Sequence, residues 1–278
     1  IPRKMLRITG APLSKSAKQY ALPARPWGTA ADDVFLSLEA VPDADGKRQD
    51  LSGETLANDS AKPLIERLLA MGDVGDDVLR RHMHHPDSLI RNLAAKNAMG
   101  IKFNYMWVKP GDRTRPALIH EWIRSPDPRV RRAALGVLAA HLPADKPDLF
   151  LTPEGFASVI GMIKDPAESW WVKDAAINLV GRAPADWVAP HVDLLLPFLK
   201  HEEQWLQNAA LIALTPLVAD ERCYQKVLPA IGELLRTCQR VSTINPVRFG
   251  ALPKNLAAAG PEVQKLAATT LKGAFAGY

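Results

Sequence analysis

From Lys62 onward the apolar residues fall at helical rather than strand spacing. Leu64, Ile65, Leu68 and Leu69 form one apolar face before Gly72 and Asp73 break it, which predicts a helix. Asp77 to His84 reads as the next helix. After it a five-residue motif recurs: an aliphatic residue, two polar residues, then two small or apolar ones. Its copies are Ile90-Arg91-Asn92-Leu93-Ala94, Val130-Arg131-Arg132-Ala133-Ala134, Val172-Lys173-Asp174-Ala175-Ala176, Leu206-Gln207-Asn208-Ala209-Ala210 and Val263-Gln264-Lys265-Leu266-Ala267. Successive copies begin 40, 42, 34 and 57 residues apart. These intervals bracket the roughly 40 to 47 residues of a two-helix repeat unit.

A turn precedes each copy: His85-Pro86-Asp87, Ser125-Pro126-Asp127-Pro128, Asp165-Pro166-Ala167, Lys200-His201-Glu202 and Ala259-Gly260-Pro261. Proline at the first helical position loses no internal hydrogen bond, and an acidic neighbour suits the helix N-terminus. The paired alanines let neighbouring helices approach closely while Leu, Ile and Val fill the gaps. Between these inner helices the sequence predicts outer ones at Thr114 to Arg124, Thr152 to Lys164 with Thr152 as cap, Pro190 to Lys200, and Asp220 to Arg236. Thr237 to Leu252, with Asn245-Pro246 and Phe249-Gly250, reads as an inserted loop.

Residues 1–60 do not fit this repeat. Pro2, Pro12, Pro23, Pro26 and Pro42 favour extended chain and turns, with one short helix predicted from Thr29 and Asp32 through Val34, Phe35 and Leu38. The expected organisation is an irregular N-terminal extension or linker over 1–60 and a repeat domain over 61–278.

The order of residues from Asp127 to Ala134 resembles HEAT and HEAT-like repeats, over about residues 62 to 275. The resemblance implies an all-α fold, a right-handed α-solenoid of about five two-helix repeats. It also implies a ladder of contacts from the basic residue after the aliphatic one. Arg91, Arg131 and Lys173 match that position and Gln207 and Gln264 do not, so the ladder is expected to weaken toward the C-terminus.

Composition adds little that competes with this reading. Apolar residues make up 47% and charged residues 23%, ordinary values for a folded domain. No run approaches the roughly 18 to 20 apolar residues of a membrane span. Cys223 and Cys238 stand alone, too few for a thiolate metal site or a disulfide framework, and are expected as unreactive thiols. His82 and His85 have a spacing that could ligate a metal, but Pro86 ends the helix there and an exposed histidine-rich turn is expected instead. Asp43-Ala44-Asp45-Gly46 fails the calcium-loop pattern, with Val41 and Ser52 where acids are required. Nucleophile-elbow, Walker, zinc-protease and dinucleotide signatures are absent, so no catalytic residue, metal or cofactor is expected.

Two features suggest a surface. Arg113, Arg115, Arg124, Arg129, Arg131 and Arg132 concentrate positive charge, which on one face would attract polyanions. The chain also holds seven tryptophans, among them Trp170, Trp171 and Trp205 around the third and fourth inner helices. Adjacent Trp170 and Trp171 cannot share one helix face, so at least one is expected in the core. The expected role is a non-enzymatic scaffold or binding module gripping a protein partner on a concave face, with the chain read as the C-terminal region of a larger protein. Candidate contacts are Arg91, Arg129, Arg132, Trp170 and Trp171. One alternative is nucleic-acid binding, since the Trp and Arg mixture is similar to HEAT-like alkylpurine DNA glycosylases; their carboxylate would be Asp174 or Asp127, although no segment matches their catalytic region. The other is an accessory domain of an enzyme whose active site lies upstream of Ile1.

Overall fold

The computed structural model describes residues 76–85, 88–101, 114–143, 146–238 and 250–274. The extension over 1–60, its boundary with the repeat domain, the helix at Leu64 to Leu69, Trp27, Trp107, Arg113 and most of the insertion after Thr237 lie outside them. The described residues form helices and turns, and none is in a β-strand. The chain divides into two compact units, Ile1–Ile119 and His120–Tyr278.

In the first unit α1 (Asp76–Met83) packs on α2 (Ser88–Ala98). Helix α1 carries Asp76 and Asp77 in its first turn and Arg80 and Arg81 in its last, the order that complements the helix dipole. Leu79 and Met83 are buried. Helix α2 ends in a left-handed turn: Gly100 has φ 68°, its N–H donates to the Asn97 carbonyl, and the Ile101 N–H donates to that of Lys96. This paired closure needs a residue without a Cβ at the turn. The expected exposed histidine turn is corrected here. His82 and His85 are buried and only His84 is exposed, because His82 lies on the same side of α1 as Leu79 and Met83.

Helix α3 (Pro116–Ile123) contains the division between the units. The second unit continues with α4 (Pro128–His141), α5 (Pro153–Lys164) and α6 (Trp170–Val180). The predicted starts hold: the Asp127 side chain accepts from the Arg129 N–H at 2.8 Å and that of Thr152 from the Gly155 N–H at 3.1 Å, with proline next in each case. The outer helix expected at Pro190 to Lys200 is instead broken into α7 (Ala185–Val188), a 3-10 turn, α8 (Val192–Leu195) and a second 3-10 turn over Leu196–Lys200. Pro190 and Pro197 supply no N–H, so a continuous ladder cannot form across them. Helix α9 (Gln204–Leu214) follows and runs into a 3-10 segment, Thr215–Ala219. The last elements are α10 (Tyr224–Thr237), α11 (Leu252–Ala257) and α12 (Pro261–Thr270). Helix α10 starts later than expected, because Asp220 to Cys223 form a turn in which Asp220 accepts from the Arg222 N–H.

The second, third and fourth copies of the motif sit on helices that are successive neighbours: α4 packs on α6 and α6 on α9, with α5 also against α6. In each the first, fourth and fifth motif residues are buried, namely Val130, Ala133 and Ala134, Val172, Ala175 and Ala176, and Leu206, Ala209 and Ala210. The small pairs act as predicted. At the ends of α6 and α9 the approach is closer still, and a Cβ at Gly181 would lie 2.9 Å from the Ala213 Cα.

The second motif residue has a role that the expected basic ladder does not describe. Arg91 donates to the His85 carbonyl at 2.6 Å, and Arg131 to those of Ser125 at 2.7 Å and Pro126 at 3.0 Å. Gln207 donates to the Leu199 carbonyl at 2.9 Å, and Gln264 to those of Leu256 at 3.3 Å and Ala259 at 3.0 Å. Each side chain thus reaches back to carbonyls at the end of the preceding helix or in the turn after it, where the backbone supplies few donors. Glutamine makes the bond in the fourth and fifth copies as arginine does in the first and second, whereas Lys173 of the third copy makes none. Arg131 also donates to the Glu168 carboxylate at 2.7 Å, in the turn before the next copy of the motif.

Candidate functional site

Burial of the first, fourth and fifth motif residues leaves the opposite face of each inner helix open. The residue before the motif, its third residue and the residue two after its end share that face at i, i+3 and i+7. On α4 these are Arg129, Arg132 and Gly136; on α6, Trp171, Asp174 and Asn178; on α9, Trp205, Asn208 and Ile212. None of the nine is buried. Among the described residues the exposed large apolar side chains are Trp170 at 47%, Trp205 at 41% and Ile212 at 38%. All three lie on α6 and α9, which are packed together.

The arginines of α4 are largely engaged within the chain. Arg129 closes on the Asp127 carboxylate, with its Nε 3.1 Å from Oδ1 and its Nη2 2.8 Å from Oδ2. Arg131 is held by two carbonyls and by Glu168, whose side chain is 6% exposed. The Arg132 guanidinium lies back along its own helix, where a Cβ at Gly136 would meet Nη1 at 3.1 Å. Of the clustered arginines, Arg115, Arg129 and Arg131 are thus bonded to carboxylates of the chain itself.

Asp174 is the central ionisable group of the face. Burial holds its carboxyl above the ordinary aspartate range; Arg132 and the Asn178 side chain pull it back, and Glu203 pushes it further up. Asn178 donates its Nδ2–H to the Asp174 carboxylate at 3.1 Å and to the Asp174 carbonyl at 2.9 Å. Glu203 caps α9, its carboxylate accepting from the Trp205 N–H at 3.3 Å. Arg132 and Glu203 thus bring the third motif positions of α4 and α6 and the start of α9 into one electrostatic neighbourhood.

A raised carboxyl makes folding less favourable once pH exceeds its folded value, and carries no penalty below its unfolded value. Asp174→Asn is therefore expected to raise Tm near pH 7, with the gain shrinking as pH falls through the carboxylate range to about 3. Thermal unfolding of both proteins across that range measures it. An offset that does not change with pH contradicts the account.

Of the residues predicted from sequence, Arg129, Arg132, Trp170 and Trp171 fall on the adjacent helices α4 and α6, while Arg91 lies on α2 in the first unit. The expectation that at least one of the pair lies in the core is corrected: Trp170 is exposed and Trp171 half-buried, both flanking the open side of α6. Trp205, Asp174, Asn178, Asn208 and Ile212 join the face without having been singled out as contacts, and aligning the copies on their aliphatic residue would have found them. Other tryptophans serve packing: Trp122 is buried, and the Trp187 ring sits 5.4 Å from that of Phe156. No group of His, Cys, Asp and Glu able to hold a metal occurs among the described residues.

Both cysteines are free. Burial pushes the Cys223 thiol up to about 11, while Cys238 is half-exposed. At neutral pH a thiol reagent is expected to label Cys238 and to reach Cys223 only after unfolding. Equal labelling rates in the native protein would contradict that burial.

No family model matches the chain, and no curated protein matches it. Among solved structures it is similar to two engineered proteins from the Northeast Structural Genomics Consortium. One is 16% identical with a TM-score of 0.43, over 90% of this chain and 100% of that one. The other is 18% identical with a TM-score of 0.45, over 90% of this chain and 98% of that one. Likeness at these scores bears on neither architecture nor function.

Proposed function

We propose that the repeated units form a right-handed α-solenoid of HEAT-like repeats, and that the protein is a non-enzymatic binding module taking a protein partner on the face of α4, α6 and α9. The observation that carries this reading is the confinement of exposed Trp170, Trp205 and Ile212 to two adjacent helices. Exposed aromatic residues gathered in one place are the usual anchors of protein interfaces. The stacking of successive motif helices, α4 on α6 on α9, supports the solenoid. The internal engagement of Arg129 and Arg131 favours a protein over a polyanion.

Titration with labelled single- and double-stranded DNA at about 50 and 200 mM salt separates the two partner classes, because several phosphate contacts would change affinity by orders of magnitude over that range. The proposal expects no salt-sensitive binding. Tight binding that collapses with salt and disappears in Arg129→Glu and Arg132→Glu would replace it with a nucleic-acid function.

A further inference from the structure

We infer that this face takes an extended segment of the partner and seats one of its cationic side chains, lysine or arginine, beside the tryptophans of α6 and α9 against Asp174 and Glu203. The inference rests on the binding-face reading and names the chemistry the face selects.

Charge is the first argument. Asp174 and Glu203 repel one another across the junction of α6 and α9, and Arg132 is the cation acting on Asp174. One guanidinium balances at most one of the two carboxylates, and this one lies along its own helix over Gly136. Arg129 is closed on Asp127, and Lys173, although next to Asp174 in sequence, is not among the charges that act on it. A cation delivered from outside restores the balance.

The aromatic residues are a second, independent argument. Trp170 and Trp171 stand four and three residues before Asp174, one turn away on the same helix. Trp205 follows Glu203 by two residues, and its N–H is bound by that carboxylate. Exposed indole faces attract cations, and arginine or lysine stems also cover apolar surface. Carboxylates and indoles side by side therefore match a long cationic side chain better than an acidic or purely apolar one.

Geometry favours an extended segment. Neighbouring helices pack about 8 to 10 Å apart, which is about three residues of extended chain at 3.3 Å each. A segment crossing α4, α6 and α9 meets an equivalent position at each helix. Asn208, half-exposed on this face, has an amide with both donors and an acceptor that suits a passing peptide backbone.

The test is selection of displayed random peptides of about ten residues, enough to cross three helices at 3.3 Å per residue, on the immobilised full chain. Basic residues are expected to be enriched. A labelled selected peptide should bind Asp174→Asn and Trp205→Ala at least about tenfold more weakly than the parent, a difference of 1.4 kcal/mol, with both variants retaining their cooperative unfolding. Selected peptides that are acidic or uncharged but still need Trp205 would overturn the cation seat and leave the binding face standing. Basic peptides indifferent to Asp174→Asn overturn the seat as well. Absence of any peptide that depends on Trp205 overturns both readings.

Discussion

Arg131→Ala is expected to destabilise the protein by about 3 to 5 kcal/mol, the range for breaking a buried ion pair from one side. Three bonds are lost at once, to the Ser125 and Pro126 carbonyls and to Glu168. The Glu168 carboxylate, 6% exposed, is left with the Ser169 N–H alone. Lysine at 131 should recover only part of the loss, because one ammonium cannot reproduce the fork that reaches carbonyls and carboxylate together. Adding Glu168→Gln to Arg131→Ala should recover more, since the stranded charge is gone. Urea unfolding of the four proteins measures this. A loss under about 1 kcal/mol for Arg131→Ala would place the pair among surface bridges and remove Arg131 as the tie between α4 and the turn before α6.

Gly181→Ala is the second large effect, expected to cost about 1 to 3 kcal/mol through overpacking. The new methyl would sit 2.9 Å from the Ala213 Cα and 3.4 Å from its N, so backbone rather than a flexible side chain must move. Ala213→Gly should not rescue it, because the closest clash is with an atom that glycine keeps. Gly161→Ala in α5 provides the contrast. Nothing lies within 4 Å of a Cβ there, and alanine in a helix interior is favoured over glycine by about 0.5 to 1 kcal/mol. Opposite signs for the two substitutions support the close contact of α6 and α9. A neutral Gly181→Ala contradicts it.

How far the sequence could be read depended on how local each signal was. The starts at Asp127 and Thr152 were legible because cap and proline lie within three residues of the N–H groups they serve. The broken segment between Ala185 and Lys200 was legible in principle from Pro190 and Pro197, yet Pro190 also suits a first helical position and only the surrounding turns decide between the two. The role of Gln207 and Gln264 is hidden because the first three copies share a charge at that position, whereas the bond to the preceding carbonyl needs only a donor N–H of suitable reach. The arginine cluster looked like a surface because the partner of Arg131, Glu168, is 37 residues away. Trp170 and Trp171 stood out as a pair, whereas Asp174, Asn178, Asn208 and Ile212 gain meaning only when α4, α6 and α9 are set in register.

The central claim is that the open face of α4, α6 and α9 receives a protein. Its most direct test is photo-crosslinking in cells that make the protein, with p-benzoylphenylalanine in place of Asn208 on that face or of Ala157, exposed on α5. A discrete protein adduct from position 208 and none from position 157 is the predicted result. Adducts from 157 alone, equal adducts from both, or nucleic acid in place of protein at 208 would contradict the claim.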